Sequence, residues 1–195
     1  MRETGRGQAT RQRLLDAAVP LIGEAGWGAV TTRMVAERAG VNQALVHYHF
    51  GSVTELLVAA STGFARQLLA GFAAGLAEQP DVPAAVEWLL AGLDGYADDD
   101  PASRTVSETY LAASRLPALR VELAAVVDDF RAEVAGWLRR HGHGADEASA
   151  AATLLAATVD GLMLHRGLEP GLGAAGLAGP LRRLLTPDTA PEGAP

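Results

Sequence analysis

Apolar residues recur three and four apart along nearly the whole chain, with polar residues between them. The first such stripe, Leu14, Ala17, Ala18, Leu21 and Ile22, predicts a helix over 10–25 that Gly26 terminates. Pro20 falls inside it and removes a hydrogen bond to the Asp16 carbonyl. Two very short helices follow. Thr31 caps the first, over 32–39; Gly40 turns the chain; Asn42 caps the second, over 43–49. The run Ser52-Val-Thr-Glu55 is a capping box, in which hydroxyl and carboxylate each satisfy a free backbone N–H, and it opens a long helix to about residue 78. Pro80 and Pro83 break the chain there. Five more helices are predicted, over 83–97, 101–115, 117–140, 146–168 and 174–185. Asp100 caps the second of these, and Pro101 takes its first turn. No sustained period-2 alternation occurs, so no strand is predicted. The pattern describes an all-α protein of about nine helices. It divides into a helix-turn-helix domain over 1–57, a helical body over 58–186 and a disordered tail over 187–195.

The two short helices have a mechanical logic. Val35, Ala36 and Ala39 face inward on the first; Val46 and Phe50, four apart, face inward on the second. Ala39 and Gly40 are small where the helices meet, and Val41 plugs the turn. Gln43, Ala44, His47 and Tyr48 are left facing outward. A helix with polar and aromatic residues near its N-terminus can enter the major groove and read base edges, so double-stranded DNA is the expected partner.

Charge first argues against that partner. The 195 residues carry 16 basic and 23 acidic side chains, a net charge of −7, whereas nucleic-acid-binding domains are commonly basic. The charge is uneven, however. The first 60 residues hold six arginines (Arg2, Arg6, Arg11, Arg13, Arg33, Arg38) against five acids (Glu3, Asp16, Glu24, Glu37, Glu55), a surplus of +1; the rest hold ten against eighteen, giving −8. The negative charge belongs to the body, and steering to DNA should be weak. Every basic residue is arginine, and Asn42 and Ile22 are alone of their kind. That bias fits a GC-rich genome, so the missing lysines need no functional cause.

Other chemistry finds little support. With no cysteine there is no disulfide framework, thiolate metal site or thiol nucleophile. No serine, histidine and carboxylate set stands at a known motif, and no Gly-rich phosphate loop is present, so no enzyme and no cofactor is expected. His47 and His49, two apart, do not share a helix face and are not read as metal ligands. His141 and His143 flank a glycine in what reads as a solvated turn. His165, near Asp160, reads as a packed or interface histidine. Asp98 and Asp99 read as a solvated loop, and Asp128 and Asp129 as facing water beside Arg131. No uncharged apolar run reaches the roughly 18 residues of a membrane span, and the polar stretch 1–10 lacks the core of a signal peptide. A cytoplasmic protein without a membrane partner is expected.

Over residues 11–57 the chain resembles the tetracycline-repressor (TetR) family of bacterial transcription regulators. The resemblance rests on the order and spacing of Arg13-x-x-x-Asp16-Ala-Ala, Gly26-Trp27, Thr31-Thr32, Val35-Ala36-x-x-Ala39-Gly40-Val41, Tyr48-His49-Phe50-Gly51-Ser52 and Leu56-Leu57. It implies that Thr32 donates to a phosphate and that Arg33 contacts a base or phosphate. Gln43, Ala44 and Leu45 lead the recognition helix, Gln43 toward an adenine edge and Leu45 toward a thymine methyl. Tyr48 and His49 bond phosphate oxygens, which position rather than specify. Two departures stand out: His47 where the family commonly has tyrosine, and Val53 where it commonly has lysine. The second motivates an alternative, a ligand- or protein-binding dimer of the same fold with weak or lost DNA binding.

The resemblance further implies a body that encloses a pocket for a small-molecule effector, and a homodimer. Aromatic and apolar candidates for the pocket are Phe64, Leu68, Trp88, Tyr110, Leu111, Phe130, Trp137 and Met163. Trp88, Tyr110 and Trp137 have polar tips that can orient a ligand. Few buried charges are suggested, so the effector is expected to be hydrophobic or uncharged. Val159-Asp160-Gly161-Leu162 looks like the family's dimerisation segment. The last two helices would form a four-helix bundle with the partner's pair. Leu154, Leu155, Val159, Leu162, Leu177, Leu181 and Leu184 lie on its stripes. A two-fold dimer would set two recognition helices on an inverted repeat, as a repressor released by its effector.

Overall fold

A computed structural model describes residues 2–95, 101–166, 169, 172 and 175–186. Among the described residues there are nine α-helices and no strand: α1 (Arg2–Ala25), α2 (Thr32–Ala39), α3 (Ala44–Phe50), α4 (Val53–Ala77), α5 (Val82–Gly95), α6 (Pro101–Ala113), α7 (Pro117–Arg140), α8 (Ala145–Arg166) and α9 (Ala178–Leu184). Short 3-10 turns occupy Trp27–Ala29 and Ala175–Leu177.

Most helix ends follow the local chemistry. The Thr31 hydroxyl accepts the Met34 N–H at 3.3 Å, and the Asn42 side chain accepts the Ala44 N–H at 2.9 Å. The Ser52 hydroxyl accepts the Glu55 N–H at 3.1 Å, one half of the expected capping box. Asp81 accepts the Ala84 N–H at 2.8 Å and starts α5 a residue before the expected position. The Asp98–Asp100 loop, the Asp100 cap and the tail from 187 lie outside the described residues.

Three expectations need correction. α1 begins about two turns before residue 10, although Gly5 and Gly7 are poor helix formers. Its early turns are supported by tertiary contact: a Cβ at Gly7 would stand 3.9 Å from the His49 ring. The helix expected over 174–185 is a 3-10 turn followed by the seven-residue α9, since Gly176, Gly179 and Pro180 disfavour an uninterrupted helix. The 141–144 turn is solvated only at its glycines. His143 is buried, with Nε2 2.8 Å from the Leu185 carbonyl oxygen and Nδ1 3.1 Å from that of Leu138, so its ring links the ends of α7 and α9. His141 stacks on Trp137 at 3.9 Å, with its ring nitrogens facing the Trp137 and Pro80 carbonyls.

By packing, the chain forms two units, one of residues 1–68 with 99–126, the other of 69–98 with 127–195. α4 and α7 each contribute residues to both. The first unit's core is Leu14, Ala18, Ile22, Val35, Ala36, Val46, Leu56 and their neighbours. α6 belongs to this unit. The buried Thr105 hydroxyl lies 3.3 Å from the Val19 carbonyl of α1, and the Trp27 indole N–H donates to Ser61 of α4 at 3.0 Å. The second unit packs α5, α7, α8 and α9 around Val86, Leu89, Val134, Leu138, Ala152 and Leu155. Here Trp88 lies against α4 at Gly75, where a Cβ would fall 2.2 Å from its ring, so the packing as it stands depends on glycine.

α4 and α8 are long and apolar enough, by length and composition, to cross a membrane, each with mean hydropathy 1.3 over its apolar window. Both carry charge (Glu55 and Arg66 on α4, Asp160 on α8); α4 places apolar residues in both cores and α8 in that of the second unit.

Candidate nucleic-acid interface and ligand cavity

The turn between α2 and α3 is built by Gly40, whose φ of 64° is left-handed, a region that favours glycine. Its N–H returns to α2, and the Val41 N–H donates to the Ala36 carbonyl at 3.0 Å. The Arg13 guanidinium of α1 donates to the Ala39 carbonyl and, at 3.1 Å, to the Gly40 carbonyl. A cation at a helix C-terminus also opposes the negative end of the helix dipole. Arg13 therefore fixes the angle at which α3 leaves α2, a role that sequence reasoning missed. The only advance signal was its place in the Arg13-x-x-x-Asp16 pattern.

α3 presents the face that the pattern predicts. Val46 and Phe50 are buried; Gln43, Ala44, His47 and Tyr48 are exposed; Leu45 and His49 are half-buried. Tyr48 is 80% exposed, which gives it no packing role in the isolated chain. Its ring meets His49 edge-on at 4.9 Å. His47 Nδ1 lies 2.9 Å from the Gly51 carbonyl, which leaves Nε2 outward. Thr32 opens α2 and is half-buried. Arg33 is exposed but paired with Glu37 at 2.7 Å, and that hydrogen-bonded carboxylate holds its pKa above the ordinary value. Contact with DNA would have to break this pair, which is a small cost for an exposed one.

Cavities occur in the second unit. One, of about 10 Å³, is lined by Phe72, Trp88, Trp137 and aliphatic residues of α4, α5, α7 and α8, together with Leu185 just after α9. It has room for roughly a single water and is closed to anything larger. Another, about 210 Å³, is lined by Ala73, Leu76, Ala77, Glu133, Gly136, Trp137 and Arg140, between α4 and α7. Trp137 is 3% exposed and its indole N–H has no acceptor among the described residues.

The sequence candidates for the pocket are not all brought together. Trp88 and Trp137 line cavities, Phe130 packs on Phe72 at 5.5 Å, and Met163 packs on the same core. Tyr110, 40% exposed, and Leu111, 52% exposed, lie on the surface of α6 in the other unit, to which the half-buried Phe64 and Leu68 of α4 also belong. Phe72, Glu133 and Arg140 were missed. The first is an ordinary core aromatic by pattern, and the two charges gave no sequence signal.

The residues expected to face a partner differ in exposure within the single chain. Leu155 and Leu181 are buried in the chain's own core, and Val159, Leu162 and Leu177 pack against it. Among the described residues of α8 and α9, the large apolar side chains left exposed are Leu154, Leu164 and Leu184. On α8, exposed Ala150, Leu154, Ala157 and Leu164 form a stripe at helical spacing, one face round from the expected one.

A head with an outward polar helix held by a capped turn, joined to a helical body with cavities, defines a helix-turn-helix regulator. Residues 14–60 match the family model of bacterial regulatory proteins, tetR family, and residues 80–187 match that of the tetracyclin repressor-like C-terminal domain. The HTH-type transcriptional regulator BetI of Burkholderia thailandensis is 32% identical over 179 residues, 88% of each chain. Among solved structures, SCO7518 of Streptomyces coelicolor A3(2) has a TM-score of 0.72 at 28% identity, covering 91% of this chain and 98% of that one. The multidrug binding protein EbrR complexed with imidazole has a TM-score of 0.71 at 28% identity, covering 93% and 97%. The chain belongs to the tetR family, and it is a ligand-responsive DNA-binding transcriptional regulator rather than an enzyme.

Proposed function

We propose that the protein is a cytoplasmic repressor that occupies an inverted-repeat operator as a homodimer and leaves it when a small molecule binds the body. The observation that carries the effector half of this reading is Trp137. A buried indole N–H without an acceptor costs about 1–3 kcal/mol, and this one belongs to a residue lining a 210 Å³ cavity. An acceptor on a mainly apolar effector would satisfy this N–H once the buried indole nitrogen turns toward the cavity. Glu133 and Arg140 on the lining add one charge of each sign, so the site is not wholly uncharged. The known EbrR complexes with imidazole, malachite green and proflavin support small-molecule binding by this fold.

The head comprises residues 1–57. Gln43, Ala44 and Leu45 read bases; Thr32, Arg33, His47, Tyr48 and His49 hold phosphates. The sensing body is 58–186. Effector binding favours a population whose two heads no longer match the half-site spacing. Dimerisation uses the Ala150, Leu154, Ala157 and Leu164 stripe of α8 with Leu184. A panel of aromatic and heteroaromatic compounds, scored by release of a labelled duplex from upstream of the gene, tests the reading. Release by at least one compound, lost in Trp137→Phe, is expected. Release that is unaffected by Trp137→Phe contradicts the site.

A further inference from the structure

The described arginine side chains of the head fall into two groups. Arg33 and Arg38 are tied to Glu37 and Glu24, each at 2.7 Å, and Arg13 is committed to the Ala39 and Gly40 carbonyls. Arg6 and Arg11 have no carboxylate or carbonyl partner for their guanidinium groups among the described residues. Both lie on the first three turns of α1, Arg6 on the part that precedes the expected start at residue 10 and Arg11 just inside the expected helix. These turns run beside the last turn of the recognition helix. The Arg11 guanidinium stands 4.8 Å from the centre of the Phe50 ring, and Gly7 abuts His49. Arg6 precedes Gly7 and is exposed. The adjoining start of α4 supplies no cation, since Val53 opens it and Glu55 follows.

Among the described residues, the guanidinium groups of the head left without a carboxylate or carbonyl partner are thus gathered at one edge of α3. A recognition helix in a major groove is flanked by backbone phosphates, and cations at its edge are placed to meet them. We propose that Arg6 and Arg11 are DNA-backbone contacts, so that α1 supplies phosphate anchoring that α4 does not. Phe50 holds the Arg11 guanidinium by a cation–π contact, which leaves its charge unneutralised. The proposal rests on the DNA-binding reading above.

Each cation that meets a phosphate releases counterions, and the salt dependence of binding counts them. The full-length chain is titrated by fluorescence anisotropy against two labelled duplexes, one from upstream of its gene and one of random sequence, across about 50 to 200 mM salt. Arg6→Ala and Arg11→Gln should each weaken both duplexes by a similar factor. Each should also lower the slope of log K against log salt by about 0.9 per contact, roughly 1.8 for a two-fold pair. Arg11→Lys should keep the slope, and Arg120→Ala, exposed on α7, should match wild type. Unchanged slopes in Arg6→Ala and Arg11→Gln, with wild type binding, overturn this proposal alone. So does an Arg11→Lys variant that loses as much slope as Arg11→Gln. Wild type that binds neither duplex overturns both this proposal and the function on which it rests.

Discussion

The Glu108 carboxylate of α6 accepts the Trp27 backbone N–H at 2.9 Å, a bond that spans 81 positions of sequence. It fastens the entry to the helix-turn-helix onto α6. Removing the acceptor leaves a part-buried N–H unpaired, which costs about 1–3 kcal/mol. Glu108→Ala should lower Tm by several degrees, at roughly 2–4 °C per kcal/mol for a chain of this size. A far-UV circular dichroism melt indistinguishable from wild type would show that the bond does not fasten the two elements.

Gly40 is the position where the head depends most on backbone conformation. Its φ is 64°, and an added Cβ would stand 3.2 Å from Arg13 Nη2. A side chain in the left-handed region costs about 1–2 kcal/mol, and the Arg13 clamp would have to shift. Gly40→Ala should lower thermal stability and weaken DNA binding more than the stability loss alone explains. Anisotropy at a temperature where both proteins are folded separates the two effects.

The Glu24–Arg38 pair makes a pH prediction. The hydrogen-bonded Arg38 guanidinium holds the Glu24 carboxyl below its ordinary value of 4.5. A lowered folded-state pKa gives a contribution that is present above the ordinary value and is lost as pH falls through the folded value. Wild type should therefore exceed Glu24→Gln in urea midpoint at neutral pH, by a small margin because both groups are exposed, and the gap should close in acid. A gap that persists below the carboxylate range would contradict the linkage.

The α8 stripe makes a prediction about assembly. Leu154 and Leu164 are exposed and the stripe between them is small and apolar. Leu154→Arg should give monomer in sedimentation velocity while keeping its helical spectrum. Leu181→Arg places a charge in the chain's own core and should instead cost the fold. A dimer that survives Leu154→Arg would move the interface elsewhere.

The helices, caps and outward face of α3 were legible in the sequence because each depends on neighbours within a few residues. Thr31, Gly40, Asn42 and Ser52 act locally, and local chemistry reads forward reliably. What pattern could not show depends on distant partners. Arg13 clamps a turn 26 and 27 positions away, and His143 bridges to Leu185 across 42. Neither contact can be read from residues within a few positions of either side chain. The stripe of α8 was resolved by period, but which side meets the protomer's own core depends on α5, α7 and α9. The 210 Å³ cavity beside Trp137 follows from Ala73, Ala77 and Gly136 on two different helices, and no single stretch of sequence contains that coincidence.

The central claim is that the outward face of α3 reads DNA. A labelled duplex from upstream of the gene, titrated with wild type and with a Gln43→Ala, Tyr48→Phe double variant, tests it most directly. Both side chains are exposed, so the fold should be unchanged. Wild type should bind, and the variant should bind more weakly by about 1–3 kcal/mol for a lost bidentate base contact, or roughly tenfold or more. Equal binding by the two proteins would contradict the assignment of this face.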